Sequence, residues 1–450
     1  MPDLAVENSE QQRPPRLRMP ATVQTLLGAF FVESFPTELM RRYAGARCLT
    51  MRLLGIGELV SVTDPQAVRD VFAGDREVLR AGQANAQMLG AVVGARSLLT
   101  LDGEEHLRMR RLLSPPLHGQ ALRAYTGLVE QITAQEVQRW PVSRTVRMLP
   151  RMQAITLEVI LHAVLGVRDE PRRRQLRSLL PRLLDVNALA VVADGAYPGV
   201  AEGRLGALLP WVRARRAVDA LLQEEIAAHR ADPVGRDDVL ALLLTTRDEN
   251  GVGLSDQELR DQLRTLLVAG HETTAGSLSW CLERLMRHPE ALARLQQEVD
   301  AGQSTTYLDA VIQETLRTRP VLEAVWRRLA APLELAGYRL PAGSLVAVAI
   351  RGAHRSEAAF PEPQCFSPER FLGEGPAPGT HIPFGGGPRR CIGAGFALME
   401  MRTVIRVVLE RVELQAPSGR AERQTRLRSF TTRPARGARV VVAGRRAPVT

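Results

Sequence analysis

The chain has 450 residues and a formal net charge of +10 with a pI near 10.4, and all of its positive side-chain charge comes from arginine, because the sequence contains no lysine. That absence excludes a lysine Schiff base with pyridoxal phosphate and a Walker-type lysine on a phosphate. Aromatic residues make up only 4%, the arginines are spread along the chain and no zinc-finger or RNP pattern occurs, so the charge points to an acidic protein partner and away from nucleic acid.

Residues 1–20 are polar, with Pro14, Pro15 and Pro20, and read as a disordered N-terminal tail. No linker interrupts the remainder, so 21–450 is expected to form a single domain. The apolar run Leu26 to Val32 is seven residues long, far short of the roughly 20 needed to cross a bilayer. Glu33 and Phe35 follow it where a signal peptide would carry small residues. With four isolated cysteines the expectation is a cytoplasmic protein without a membrane span.

Leu49 to Leu54 and Glu58 to Val62 read as two short strands around Gly55 and Gly57. Asp64 then caps a short helix that Pro65 opens and that ends at Phe72. Ala81 to Leu99 mixes glycine, alanine and polar residues without period and reads as loop. Gly103 to Leu113 is helical, with His106 and Arg110 on one face, which taken alone is a solvated basic face. Helical periodicity continues over Ala121–Arg139, Ile155–Leu165, Arg172–Leu184 and Trp211–His229, interrupted by the Ala-, Gly- and Val-rich stretch Asp185–Pro210.

Ser255 and Glu258 form a capping box, and no proline follows until Pro289. The helix so defined has about 32 residues, roughly 48 Å at 1.5 Å per residue. Inside it lies AGHETT, Ala269 to Thr274. A glycine costs about 1 kcal/mol within a helix, and adjacent threonines are β-branched, so a local opening is expected there. The other reading of the threonine is a hydroxyl bonded back to the preceding turn; His271 reads as a core or surface residue. Glu314 and Arg317 share a helix face, which by itself is a weak sign. Leu333–Leu340, Leu345–Ala349 and Ala438–Val442 read as strands of one small sheet, with turns at Gly337 and Gly343.

Near the end stands FGGGPRRCIGAGFALME, Phe384 to Glu400, which places Cys391 in a glycine-rich loop just before a helix. Glycines allow the tight turn and the close approach of backbone to a flat partner. A thiolate there is favoured by the helix dipole and by Arg389 and Arg390. Cys48, Cys281 and Cys365 stand apart and no CxxC occurs, which disfavours zinc or an iron–sulfur cluster; a single thiolate ligand points to haem iron. The bland alternative is a buried, inert cysteine after a turn.

In Phe384, Gly387, Arg389, Cys391 and Gly393 the chain resembles the cytochrome P450 family of haem-thiolate monooxygenases, in its soluble bacterial form. The resemblance implies a mainly α fold with small β-sheets, the haem b buried between a long central helix and the cysteine loop, with Cys391 as the iron ligand. It also implies that His106, Arg110, Arg327 and Arg389 hold the haem propionates, that Ala269 and Gly270 lie against the haem, and that Glu272 and Thr273 handle protons in dioxygen activation. Glu314, Arg317 and Arg370, the last from the Pro368–Phe371 segment, become a buried brace behind the cysteine loop. Ala84–Leu99, Ala188–Ala201, Leu266–Ala269 and Leu322–Trp326 are expected to line the pocket, Asp185–Pro210 to form a lid over its entrance, and Arg428–Thr432 to return to it; Glu323 and Trp326 depart from the usual apolar pattern. The implied activity is insertion of one oxygen atom from O2 into a terpenoid, steroid or fatty acid, by hydroxylation or epoxidation. No flavin or ferredoxin module follows Arg445, so electrons from NAD(P)H are expected through a separate ferredoxin and ferredoxin reductase, or a flavodoxin-type donor. Alternatives are a peroxide-using peroxygenase, a haem-thiolate isomerase and a haem sensor.

Overall fold

The structure, a computed structural model, describes residues 6–7, 13–30, 47–54, 56–74, 78–184, 209–419, 421–425 and 431–446. The first elements are β1 (Val6–Glu7) and β2 (Arg16–Leu17), paired antiparallel, then α1 (Ala21–Phe30) and β3 (Cys48–Leu53). The amide of Thr50 donates to the carbonyl of Pro15 at 2.8 Å and Arg16 pairs with Thr50, so the two residues of β2, inside the stretch expected to be a tail, join the sheet edge. Phe31 and Val32, the end of the apolar run, lie outside the described residues. β3 pairs antiparallel with β4 (Gly57–Val62), the hairpin expected from the sequence. In α2 (Pro65–Ala73) the Asp64 carboxylate accepts from the Ala67 amide at 2.9 Å and Pro65 opens the first turn, where its missing N–H costs nothing.

β5 (Leu79–Arg80) leads into α3 (Ala81–Val93), where the sequence suggested loop. The reason is a cap supplied from a distance. Arg80 provides no side-chain cap, whereas the Asp102 carboxylate accepts from the amides of Gly82 at 2.8 Å and Gln83 at 2.9 Å. Next come α4 (Gly103–Leu113), α5 (Gln120–Gln138), β6 (Arg144–Arg147) and α6 (Met148–Val159), which continues through a π-helical turn, Ile160–Val164. α7 (Glu170–Leu184), α8 (Pro210–Ala231) and α9 (Val239–Thr245) follow. The lid segment between α7 and α8, with the pocket residues Ala188–Ala201, lies outside the described residues up to residue 208.

The central helix α10 (Asp256–Arg287) carries the complete capping box: the Glu258 amide donates to Ser255 Oγ at 3.2 Å and the Ser255 amide to Glu258 Oε2 at 2.9 Å. It runs unbroken through Ala269–Thr274, so the expected opening is absent. Packing explains why a poor local sequence stays helical. A Cβ built on Gly270 would stand 3.1 Å from Ile160 Cδ1, so the glycine lets the π-helical turn close onto α10. Leu263, Leu267, Leu278 and Leu282 on this helix share one apolar core with Met152, Ile155, Val404 and Val408.

After α10 come α11 (Pro289–Ala301), α12 (Thr306–Thr318), β7 (Ala324–Leu329), β8 (Leu333–Leu335), β9 (Tyr338–Leu340), β10 (Leu345–Ala349), α13 (Ile350–His354), α14 (Ala394–Arg411), β11 (Val412–Gln415), β12 (Gln424–Thr425), β13 (Arg433–Pro434) and β14 (Arg439–Arg445). The largest sheet has the order β1-β2-β3-β4-β10-β7-β5, with β10 parallel to β4 and antiparallel to β7. The strands expected in one small sheet are thus divided among three. β8 and β9 form their own hairpin, β10 joins the large sheet and β14 lies between β11 and β6. β10 is apolar throughout because both its faces are covered: Val346 and Val348 enter one core, Leu345 and Ala347 another.

Candidate active site

The support behind the cysteine loop is a closed set of bonds. Glu314 and Arg317 on α12 are fully buried and paired at 2.6 Å. The Arg317 guanidinium also donates to the carbonyls of His354, Pro363 and Cys365, each at 2.9 Å. Glu314 accepts from the Ser367 amide at 2.9 Å and from Arg370 at 3.3 Å. His354 carries the brace to the loop: its Nε2 accepts from the Ile382 amide at 2.9 Å, two residues before Phe384. Burial, with His381 and Arg317 nearby, holds that imidazole well below its usual range, so it is neutral and able to accept.

From Ile382 the chain makes successive tight turns. The Gly385 amide donates to Ile382 O at 3.0 Å, Arg390 to Gly387 O at 3.1 Å and Cys391 to Phe384 O at 2.9 Å. Gly387 takes φ +61°, and a Cβ on it would lie 2.4 Å from the carbonyl oxygen of Phe72. A Cβ on Gly386 would lie as close to the Phe72 ring. The flat neighbour of these two glycines is therefore Phe72 at the end of α2. Gly393 is different, since a Cβ there meets no heavy atom within 4 Å.

Cys391 sits where burial and access coexist. The surrounding protein pushes its thiol up, while the Gly393 amide, Arg110 and Arg390 pull it down. Yet the residue is exposed, so it lies on the wall of an interior space. On α10, Leu266, Ala269, Gly270 and Thr273, at i, i+3, i+4 and i+7, are accessible in a helix otherwise largely buried. Thr273 Oγ1 donates to Ala269 O at 2.5 Å, the back-bonded state. Glu272 is buried and accepts from Gln153 Nε2 of α6 at 2.7 Å. His271 is a core residue, its Nδ1 2.8 Å from Thr156 Oγ1, with burial pushing it down to about 4.

Positive charge converges at one side of this space. His106 is buried, and burial together with Arg389, Arg110 and Arg327 pushes its imidazole down to about 3. Arg110 is itself lowered by burial and by Arg390, opposed by Cys391. Arg327, on β7, is buried with its guanidinium carbon 5.9 Å from the centre of the Phe72 ring. Arg389 donates to Leu98 O at 3.3 Å, Leu101 O at 2.6 Å and Asp102 Oδ1 at 2.5 Å. The four residues suggested for the propionates therefore belong to one electrostatic group beside Cys391, drawn from α4, β7 and the loop.

Two expectations for the pocket change. Glu323 pairs with the buried Arg351 at 2.7 Å, and Trp326 packs among Leu59, Ala84 and Leu345 on a face of the large sheet. Strand alternation places Arg327 on the opposite face. Of Arg428–Thr432 only Thr431 and Thr432 are described, and Thr432 binds the Val321 and Pro320 carbonyls at 2.8 and 2.7 Å. Sequence reasoning missed Asp102, Gln153 and His354, whose partners are distant in sequence.

Among the described residues no cluster of three or more His, Cys, Asp or Glu could hold a metal ion, and no helix is long and apolar enough to cross a membrane. A haem fits what is present: an accessible thiol, an accessible stripe of largely apolar residues on α10, a glycine with free space around it at Gly393, and convergent cations suited to an anionic edge.

Comparison with known proteins agrees. The family model described as Cytochrome P450 matches residues 31–439. The chain belongs to the cytochrome P450 family, and is a haem-thiolate monooxygenase carrying protoporphyrin IX. A Mycobacterium tuberculosis relative bearing the family name cytochrome P450 135B1 is 44% identical over 443 residues, covering 96% of this chain and 92% of that protein. Another from the same organism, cytochrome P450 137, is 40% identical over 407 residues, 89% and 84% of the two chains. Among solved structures, the retinoic acid-bound cyanobacterial CYP120A1 superposes with a TM-score of 0.81 at 26% identity, covering 96% of this chain and 99% of that one. The haem domain of cytochrome P450DA gives 0.84 at 25%, covering 97% and 98%.

Proposed function

We propose that this cytochrome P450 hydroxylates or epoxidises a lipophilic small molecule of terpenoid, steroid or fatty acid type, in the cytoplasm, with electrons delivered by a ferredoxin and its reductase or by a flavodoxin-type donor. The observation that carries the substrate class is the accessible, largely apolar stripe Leu266, Ala269, Gly270 and Thr273 on α10, in a chain that also presents an accessible thiol at Cys391. The retinoic acid bound in the cyanobacterial structure, an apolar chain with a carboxylate, is of the same chemical kind.

When bound, the haem supplies the activation of dioxygen. Cys391 would hold the iron; burial raises its thiol on balance, with the Gly393 amide, Arg110 and Arg390 opposing, so the metal itself would secure the thiolate form. His106, Arg110, Arg327 and Arg389 hold the propionates through charge-assisted bonds. Ala269 and Gly270 let the cofactor and substrate lie close to α10. Thr273 would hold a proton at Oγ1 on the accessible stripe, and Glu272, oriented by Gln153, would serve as the acid of the proton supply. Phe384 and Gly387 fix the turn that presents the thiol. Arg110, Arg111 and His118 line a shallow depression at the end of α4, a basic face suited to an acidic electron donor.

The test is a titration of the ferric protein with retinoic acid, lauric acid, a steroid and a monoterpene, following the spin-state change of the haem band. A saturable shift with one class is expected. No shift with any of them, in protein whose ferrous–carbonyl spectrum shows thiolate ligation, would overturn the lipophile reading.

A further inference from the structure

The residue that ties most of this site together is Asp102, one carboxylate serving two masters. Its Oδ1 accepts from the Gly82 amide at 2.8 Å and from Arg389 Nη2 at 2.5 Å, and its Oδ2 accepts from the Gln83 amide at 2.9 Å. The first contacts hold the start of α3; the second holds an arginine of the positive cluster beside Cys391. Asp102 opens α4 as well, yet makes no side-chain cap to that helix. Its carboxylate is spent on α3 and Arg389.

The docking of α3 onto this point is close. A Cβ on Gly82 would lie 2.5 Å from the carbonyl oxygen of Leu101, the same oxygen that accepts from Arg389 at 2.6 Å. The far end of α3 is anchored by other groups: Arg215 donates to Ala91 O at 2.6 Å, and Gly94, at φ +96°, lies against Asp261 and Arg264 of α10. Between its ends α3 packs on β7, which carries Arg327, and on α10, which carries Thr273; Arg328 donates to Gln87 at 2.7 Å across the first of these contacts. Only the N-terminal end of α3 therefore depends on the group that also meets the cation cluster. A cap of this kind contributes helix order, and a carboxylate on an arginine offsets its charge.

We propose that Asp102 is a positioning residue that couples α3, the helix whose residues from Ala84 on are expected from the sequence to line the pocket, to the cationic edge of the haem site through Arg389, setting how tightly the pocket holds a bulky ligand and what potential the iron takes. The proposal rests on the haem-thiolate reading. Removing the carboxylate has two consequences that a plain helix cap would not combine. The start of α3 loosens, and the uncompensated Arg389 favours the reduced, less positive iron.

The experiment uses the full-length holoprotein and the variants Asp102→Ala, Asp102→Asn and Gly82→Ala, with 4-phenylimidazole as a ligand that reaches the pocket wall and imidazole as one that does not. For Asp102→Ala the 4-phenylimidazole Kd is expected to rise about 3- to 30-fold, the range of a lost cap, with imidazole binding unchanged, faster amide exchange at residues 82–86 and a more positive midpoint potential. Asp102→Asn keeps one of the two acceptors for the helix but no charge, so its potential should move while its 4-phenylimidazole Kd rises less than that of Asp102→Ala. Gly82→Ala disturbs the same docking from the other side and should weaken 4-phenylimidazole without moving the potential. Parent-like binding and exchange in Asp102→Ala would overturn the positioning role, and an unmoved potential in Asp102→Asn would overturn the electrical link. Should Asp102→Ala fail to fold, the other two variants decide the halves separately. Absence of the thiolate-type ferrous–carbonyl spectrum in the parent protein would instead overturn the haem reading itself.

Discussion

Two arginine clusters flank the cysteine loop, and they are built on opposite plans. In the brace, all five N–H groups of Arg317 find protein acceptors: the Glu314 carboxylate at 2.6 and 2.7 Å and three carbonyls at 2.9 Å. In the cluster formed by His106, Arg110, Arg327 and Arg389, the arginines act on a buried histidine with like sign and help drive off its proton. The first arrangement is complete by itself, so it contributes to the fold. The second is the cluster proposed above to hold the propionates, and on that reading its benefit appears when they bind.

The difference can be broken by mutation. Arg317→Ala strands the Glu314 carboxylate in the interior, and a loss of about 3–5 kcal/mol is expected in apoprotein and holoprotein alike, read from denaturant midpoints. Parent-like stability of the apoprotein would remove the brace from the fold's support. Arg327→Gln should cost the apoprotein less than Arg317→Ala does, while haem passes to an excess of an acceptor protein about 10- to 150-fold faster, the equivalent of one charged hydrogen bond. If the apoprotein suffers as much, the two clusters are of one kind.

A third buried group sharpens the contrast because its stability depends on pH. His229 on α8 lies 3.1 Å from Asp238 and 3.2 Å from Glu225, and Glu225 is also paired with Arg172 at 2.6 Å and Arg236 at 3.6 Å. Burial alone would lower its pKa, but Asp238 and Glu225 outweigh burial and raise it to about 9. Raised above the unfolded value near 6.5, it contributes stability fully present below that pH and lost as pH climbs through 9. Roughly 2 kcal/mol should disappear between pH 7 and pH 10, and His229→Gln should flatten that part of the profile; an unchanged profile would show that the histidine is not charged in the fold. The smallest effect belongs to Gly270→Ala. Alanine gains about 1 kcal/mol of helix propensity, while Ile160 must yield by a few tenths of an ångström, so thermal unfolding should place the variant within about 1 kcal/mol of the parent. A larger loss would show that the π-helical turn cannot give way.

These regions also differ in how far they could be read from sequence. The capping box of α10 and the Asp64–Pro65 start of α2 were legible because donor and acceptor lie within four residues of each other. The start of α3 was not, because its cap is Asp102, twenty residues from Gly82. AGHETT reads as a place where a helix should open, and it stays closed because Ile160 packs against Gly270, a contact no local pattern carries. Glu323 looked like an odd pocket residue until Arg351 appeared beside it.

By itself the sequence determined what depends on neighbours along the chain: the helical periods, the local caps, the absence of lysine chemistry, and a single cysteine in a glycine-rich turn before a helix. Tertiary structure alone decided which charges meet. His106, Arg327 and Arg389 come from a helix, a strand and a loop far apart in the chain, and their mutual repulsion arises from closeness in space, which residue spacing does not record. The same holds for Asp102, whose carboxylate becomes a helix cap and an arginine partner only after the chain has brought both to it.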